Sequence, residues 1–151
     1  MTESIQYQSL VAVANVVKGL TLDGLDSSRV IMEPVGDEKG KSMPFISVFP
    51  GEPETFPVGD DDGGNSADRV DYKVMVAIVA GGDEWQTMLP KVLKWREQIR
   101  QAFLRMRLSA VSVVQRMEVE PQAVVDRAAW FTSGLLVSGL KVIVISQENR
   151  T

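Results

Sequence analysis

An alternating run from Val70 to Ile78 leads through Gly81, Gly82 and Asp83 into a strongly amphipathic stretch that carries Trp85 and Trp95. Val70, Tyr72, Val74, Val76 and Ile78 occupy every second position, which in an extended chain puts them on one face. Met88, Leu89, Val92, Trp95, Ile99 and Phe103 recur at three- and four-residue spacings and form one stripe of a helix. A strand with a face to bury, followed by a helix with a stripe to bury, points to helices packed on a sheet. Met75, Ala77 and Val79 make the strand apolar on its other face as well, so it is expected to be central and covered on both faces at that end.

Ile5, Leu10, Val13, Val17 and Leu20 predict a helix over residues 5–20, with Ser4 as its N-cap. Residues 24–28 have the composition of a connector. A short strand at 29–33 stops at Pro34, and residues 36–42 read as a hairpin-type loop. Pro44 and Pro50 bracket a strand at Phe45–Phe49, which suits an edge position or simply the strand's two ends, because proline donates nothing to a ladder. The second helix is expected to reach about Arg105. Pro90 predicts that its regular part starts near Leu89, with 83–87 as a separate turn. A strand at 111–120 ends at Pro121, and residues 122–132 are a helical turn or an irregular crossing anchored by Trp130 and Phe131. The last strand spans 135–146, with Leu140, Val142 and Val144 on one face and Gly139 at a bend or bulge.

The sum is one α+β domain over residues 1–151, with an antiparallel or mixed sheet of about four to five strands against two main helices. A long acidic loop at 51–69 and a flexible polar tail at 147–151 complete it.

Composition restricts the chemistry. The 151 residues include no cysteine and no histidine. That removes disulfides, thiolate metal sites and every Ser–His or Cys–His nucleophile. The expectation is a protein that is not an enzyme, with no cofactor and no bound metal. The N-terminal residues lack a basic segment followed by an apolar run. The greasy stretch at 135–145 is broken by Ser138, Gly139 and Lys141 and falls short of the roughly 20 residues of a membrane helix. Synthesis in the cytosol and no membrane partner are therefore expected. The charges are segregated: residues 33–71 hold ten acids and three bases, and residues 72–116 hold eight bases and three acids. Such asymmetry marks either two surfaces with different partners or two solvated faces.

Four motifs invite sharper readings. Asp60, Asp61 and Asp62 precede Gly63 and Gly64, but counting from Asp60 the fifth and sixth positions are Gly64 and Asn65, which departs from a calcium loop. Glu118 and Glu120 share one face of a strand, with Asp126 following, a spacing that surface carboxylates also show. Gly81 and Gly82 sit between strand and helix, yet Asp83 and Glu84 stand where a bound anion would sit and instead suit a cap. Lys91, Lys94, Arg100, Arg105 and Arg107 lie opposite the apolar stripe and form a basic face. It suits nucleic-acid backbone, or an acidic surface on a neighbouring subunit such as the Asp60 loop, which would give head-to-tail assembly.

The order of elements resembles the tail terminator (tail completion) proteins of tailed bacteriophages. The resemblance is carried by an N-terminal helix, a short Val30-Ile31-Met32 strand and the segment Pro44 to Val48. It continues with a long loop before Tyr72-Lys73-Val74-Met75-Val76, the helix Trp95 to Phe103, and Ala129-Trp130 to Gly134 running into a long final strand. It covers most of the chain as pattern and order, without an invariant motif. It implies a structural virion protein at the head-proximal end of the tail, whose copies form a hexameric ring. The ring caps the tail tube protein, stops polymerisation and offers a docking face to the head–tail connector protein, while DNA passes through its lumen without specific binding. Asp60, Asp61 and Asp62 would then face lumen or tube, or order on docking. Lys91, Lys94, Arg100 and Arg105 would be the subunit-interface basic face. Another neck, head–tail joining or tail tube component is the alternative in the same class. A small-molecule or peptide-binding α+β module is the alternative in another.

Overall fold

The computed structural model describes residues 3–33, 43–56, 67–81, 85–104 and 114–149. The acidic triplet Asp60–Asp62, the Gly82–Glu84 cap and the basic residues Arg105 and Arg107 fall outside the described residues.

Helix α1 (Ile5–Lys18) begins where Ser4 predicts, because the Ser4 hydroxyl accepts the Tyr7 N–H at 3.1 Å. Strands β1 (Val30–Ile31), β2 (Phe45–Phe49) and β3 (Ala67–Gly81) precede helix α2 (Trp85–Leu104). Strand β4 (Val114–Pro121), helix α3 (Arg127–Ser133) and strand β5 (Leu135–Asn149) follow. Among the described residues the five strands form one mixed sheet in the order β1-β2-β3-β5-β4. The α+β expectation therefore holds.

The sheet is organised by β3 and β5, which pair antiparallel over their whole lengths, from Ala67↔Asn149 to Gly81↔Leu135. Even-numbered residues of both strands point to one face. There Val74, Val76, Ile78, Leu140, Val142 and Val144 meet Val13 and Val17 of α1 and Val92, Trp95, Ile99 and Phe103 of α2 in one buried cluster. Both long helices thus lie on this face. Trp95, 1% exposed, also satisfies its indole N–H by donating to the Asp23 carbonyl at 2.9 Å. A smaller cluster of Phe45, Ala77, Val79 and Val137 covers the other face at one end, as the pattern of β3 predicts.

Several expectations need correcting. β1 and β2 pair parallel rather than as the two arms of a hairpin; the loop expected at 36–42 lies outside the described residues. β2 is not an edge strand, since it lies between β1 and β3, and its prolines mark strand ends. α2 starts at Trp85 and keeps Pro90 inside it. The proline removes a single bond, to the Gln86 carbonyl, near the open end of a helix that packing holds in place. Gly139 is not a bulge: β3–β5 pairing runs through Ala77↔Gly139, and the irregularity lies between Val114 and Arg116 of β4. A Cβ at Gly139 would come within 3.3 Å of the Gln122 side chain, so glycine permits a close crossing there. Gln147, Glu148 and Asn149 are not a frayed tail but the last residues of β5, paired with Arg69, Asp68 and Ala67. The segment after β4 resolves into α3, with the Asp126 carboxylate accepting the N–H groups of Ala128 and Ala129.

Truncating Ile99 to Ala should cost about 2–5 kcal/mol in urea unfolding, because its side chain is wholly buried. Lys91→Ala, at an exposed position on a flank of the same helix, should change stability by less than about 0.5 kcal/mol.

Candidate functional site

Among the described residues, two surfaces carry the candidate features: the second face of the sheet and the outward half of α2.

On the second face, odd-numbered residues of β3 and β5 stand beside the outward residues of β2 and β4. After β2 the chain folds back over this face. At Gly51 it presses on Met75 so closely that a Cβ would collide with that side chain. It then rejoins β3 through paired backbone hydrogen bonds between Thr55 and Asp71, at 3.0 and 2.9 Å. Between this fold-back and residues 122–126 lies an open groove of about 410 Å³, lined by Phe49, Met75, Ala77, Val137 and Gly139 below and by Gln122, Ala123 and Asp126 at its side.

Charges on this face neutralise one another. The nearly buried Lys141 ammonium sits 2.8 Å from Glu52 and 3.6 Å from Glu120, and Lys73 reaches Glu52 at 3.9 Å. The hydrogen bond from Lys141 holds the Glu52 carboxyl below its usual range; desolvation opposes it, and the fields of Lys141 and Lys73 add to it. The same contact raises Lys141, which stays a cation and is unsuited to nucleophilic work. Arg69 makes a two-point contact with Asp71, and Arg116 pairs with Glu118 at 3.5 Å. The carboxylates that share this strand face and the one that follows are thus engaged: Glu118 and Glu120 in ion pairs, Asp126 as a cap. On the helix-covered face, burial and then the hydrogen bond to Glu148 at 2.7 Å keep the Tyr72 hydroxyl protonated.

Helix α2 behaves differently. Lys91 and Lys94 are exposed and Arg100 is half-buried. None of the three forms an ion pair among the described residues. Helical geometry separates them: Lys91 lies on the flank where Gln98 donates to the Thr21 carbonyl, and Arg100 lies on the flank of Arg96. Leu93 and Leu104, 39% and 58% exposed, share the Arg100 flank with Glu97. The expected basic face is therefore a mixed apolar and basic surface wrapped over half the helix.

Sequence reasoning missed three residues. Arg96 falls within the apolar stripe yet is buried. Its guanidinium donates to Ser138 Oγ at 3.0 Å and to the carbonyls of Gly139 at 2.5 Å, Gln122 at 3.0 Å and Ala123 at 3.5 Å. It pins α2 to the segment that forms one wall of the groove. Burial, then the like charge of Arg100, lower its pKa. The signal was a cation at a core-facing helical position. Lys141 gave a similar signal, a lone charge in an apolar run. Phe56, 64% exposed beside Glu54, gave none.

Arg96→Met should destabilise the fold by about 1–3 kcal/mol, because the buried Ser138 hydroxyl and three partly buried carbonyls lose a charged donor; urea titration measures this. The Glu52 contact adds stability above the unfolded glutamate pKa, and this is lost as pH falls through the lower folded value. The gap between wild type and Glu52→Gln should therefore be constant near neutrality and close on acidification, as followed by thermal melts; a gap that widens in acid would contradict the contact. No protein-family model matches this chain, and no curated protein matches it either.

Proposed function

We propose that the chain is a structural subunit that assembles with copies of itself into a ring, in the manner of a phage tail terminator. Such a ring caps a tail tube and presents a face to the head–tail connector, and the chain performs no bond-making or bond-breaking. The observation that carries this reading is the contrast between the two surfaces. Charges on the second sheet face are matched within the chain, whereas α2 exposes two leucines beside cations that have no partner among the described residues. Apolar side chains ringed by unmatched charge are what a protein interface uses: burial supplies affinity, and charge supplies orientation and partner choice. The element order supports the terminator form of this reading over a tube protein, which needs more strand for an inner barrel. Under it, Asp60, Asp61 and Asp62 face the lumen or the tube, where like charge keeps passing DNA from adhering.

A second reading, a small-molecule or peptide-binding module, is favoured by the groove beside Met75 and Val137, whose volume of about 410 Å³ suits a small ligand.

Sedimentation velocity and electron microscopy on the purified protein test the first reading. Rings should form as concentration rises and should weaken with added salt, since exposed charges orient the contact. A monomer at every concentration and salt would contradict it.

A further inference from the structure

We infer that the contact between copies is heterologous, joining the Leu93–Leu104 flank of α2 on one copy to the Glu54–Phe56 edge of the next. This rests on the self-assembly reading and names the surfaces that it would use.

Phe56 is the most exposed of the large apolar side chains among the described residues, at 64%. It is held out on the fold-back that hydrogen-bonds to β3 through Thr55, on the side of the sheet where β2 lies. Around it the charge is negative. Glu54 is exposed without an ion pair among the described residues, and its field reaches Tyr72, beside which Glu148 also sits.

The other patch is positive on balance. Leu93, Glu97, Arg100 and Leu104 fall on one flank of α2, with Lys94 adjoining on the outward side, so two cations there outweigh one acid. That flank faces the β4 side of the molecule, because Arg96 on the same flank reaches the backbone of Gln122 just beyond β4. β2 and β4 are separated by β3 and β5, or roughly 14 Å at ordinary strand spacing. An acidic patch with an exposed aromatic therefore lies on one side of the molecule, and a basic patch with two exposed leucines on the other. They are complementary in charge and cannot meet within one chain. Side-by-side copies satisfy both at once, and a contact between unlike patches propagates until it closes into a ring.

The test uses two full-length variants, Phe56→Asp and Leu104→Asp, each at an exposed position and checked for folding by circular dichroism. Each alone should raise the concentration needed for assembly by at least about tenfold, since each puts a charge in the contact's apolar centre. Mixed in equal amounts they should form a one-to-one dimer that grows no further, because each supplies the patch that the other lacks. If the wild type assembles and either variant assembles equally well, or the mixture gives no dimer, these surfaces are wrong while self-assembly stands. If the wild type stays monomeric, the self-assembly reading itself fails, and the interface with it.

Discussion

Everything in this molecule hangs on the pairing of β3 with β5. Fifteen residues of each strand run antiparallel without interruption, from Ala67↔Asn149 to Gly81↔Leu135. Side chains alternate between faces, so a slip of one residue would move Val74, Val76, Leu140 and Val142 out of the core and bring Lys73 and Lys141 into it. That cost fixes the register. The register then fixes which face takes α1 and α2, where Lys141 meets Glu52, and where α2 shows its outward half. The stripe of Val92, Trp95, Ile99 and Phe103 answers the same face, which is why a proline inside α2 is tolerated.

Periodic segments were legible in the sequence. The alternation of β3, the stripe of α2 and the Ser4 cap each fix an element by local geometry, and each matches within a few residues. What was not legible depends on contacts between distant segments. The parallel pairing of β1 with β2 follows from where the chain returns, which composition does not encode. Residues 147–149 look like a polar tail but find backbone partners in the start of β3. Gly139 suggests a bend or bulge in the sequence; its reason is the close crossing of Gln122, just beyond β4.

The candidate surfaces were half legible. A helix stripe predicts its complement, so Lys91 and Lys94 were readable as exposed. Charge patterning alone could not show that Arg96 turns inward to carbonyls, that Arg100 sits with leucines on a separate flank, or that Phe56 is held outward beside Glu54. The distinction that matters for function is between charges neutralised inside the chain and charges left over. An ion pair such as Lys141–Glu52 ties the fold-back to the sheet and leaves little field for a partner. Cations that form no ion pair among the described residues, beside exposed leucines, leave both field and apolar area for one.

The most direct test of the account is carbodiimide cross-linking of an equal mixture of isotopically light and heavy protein, read by mass spectrometry. This reagent joins a lysine amine to a carboxylate only where the two touch. The account predicts mixed-isotope links between Lys94 and Glu54, formed between copies. Links confined to single chains, such as Lys141 with Glu52, would contradict it.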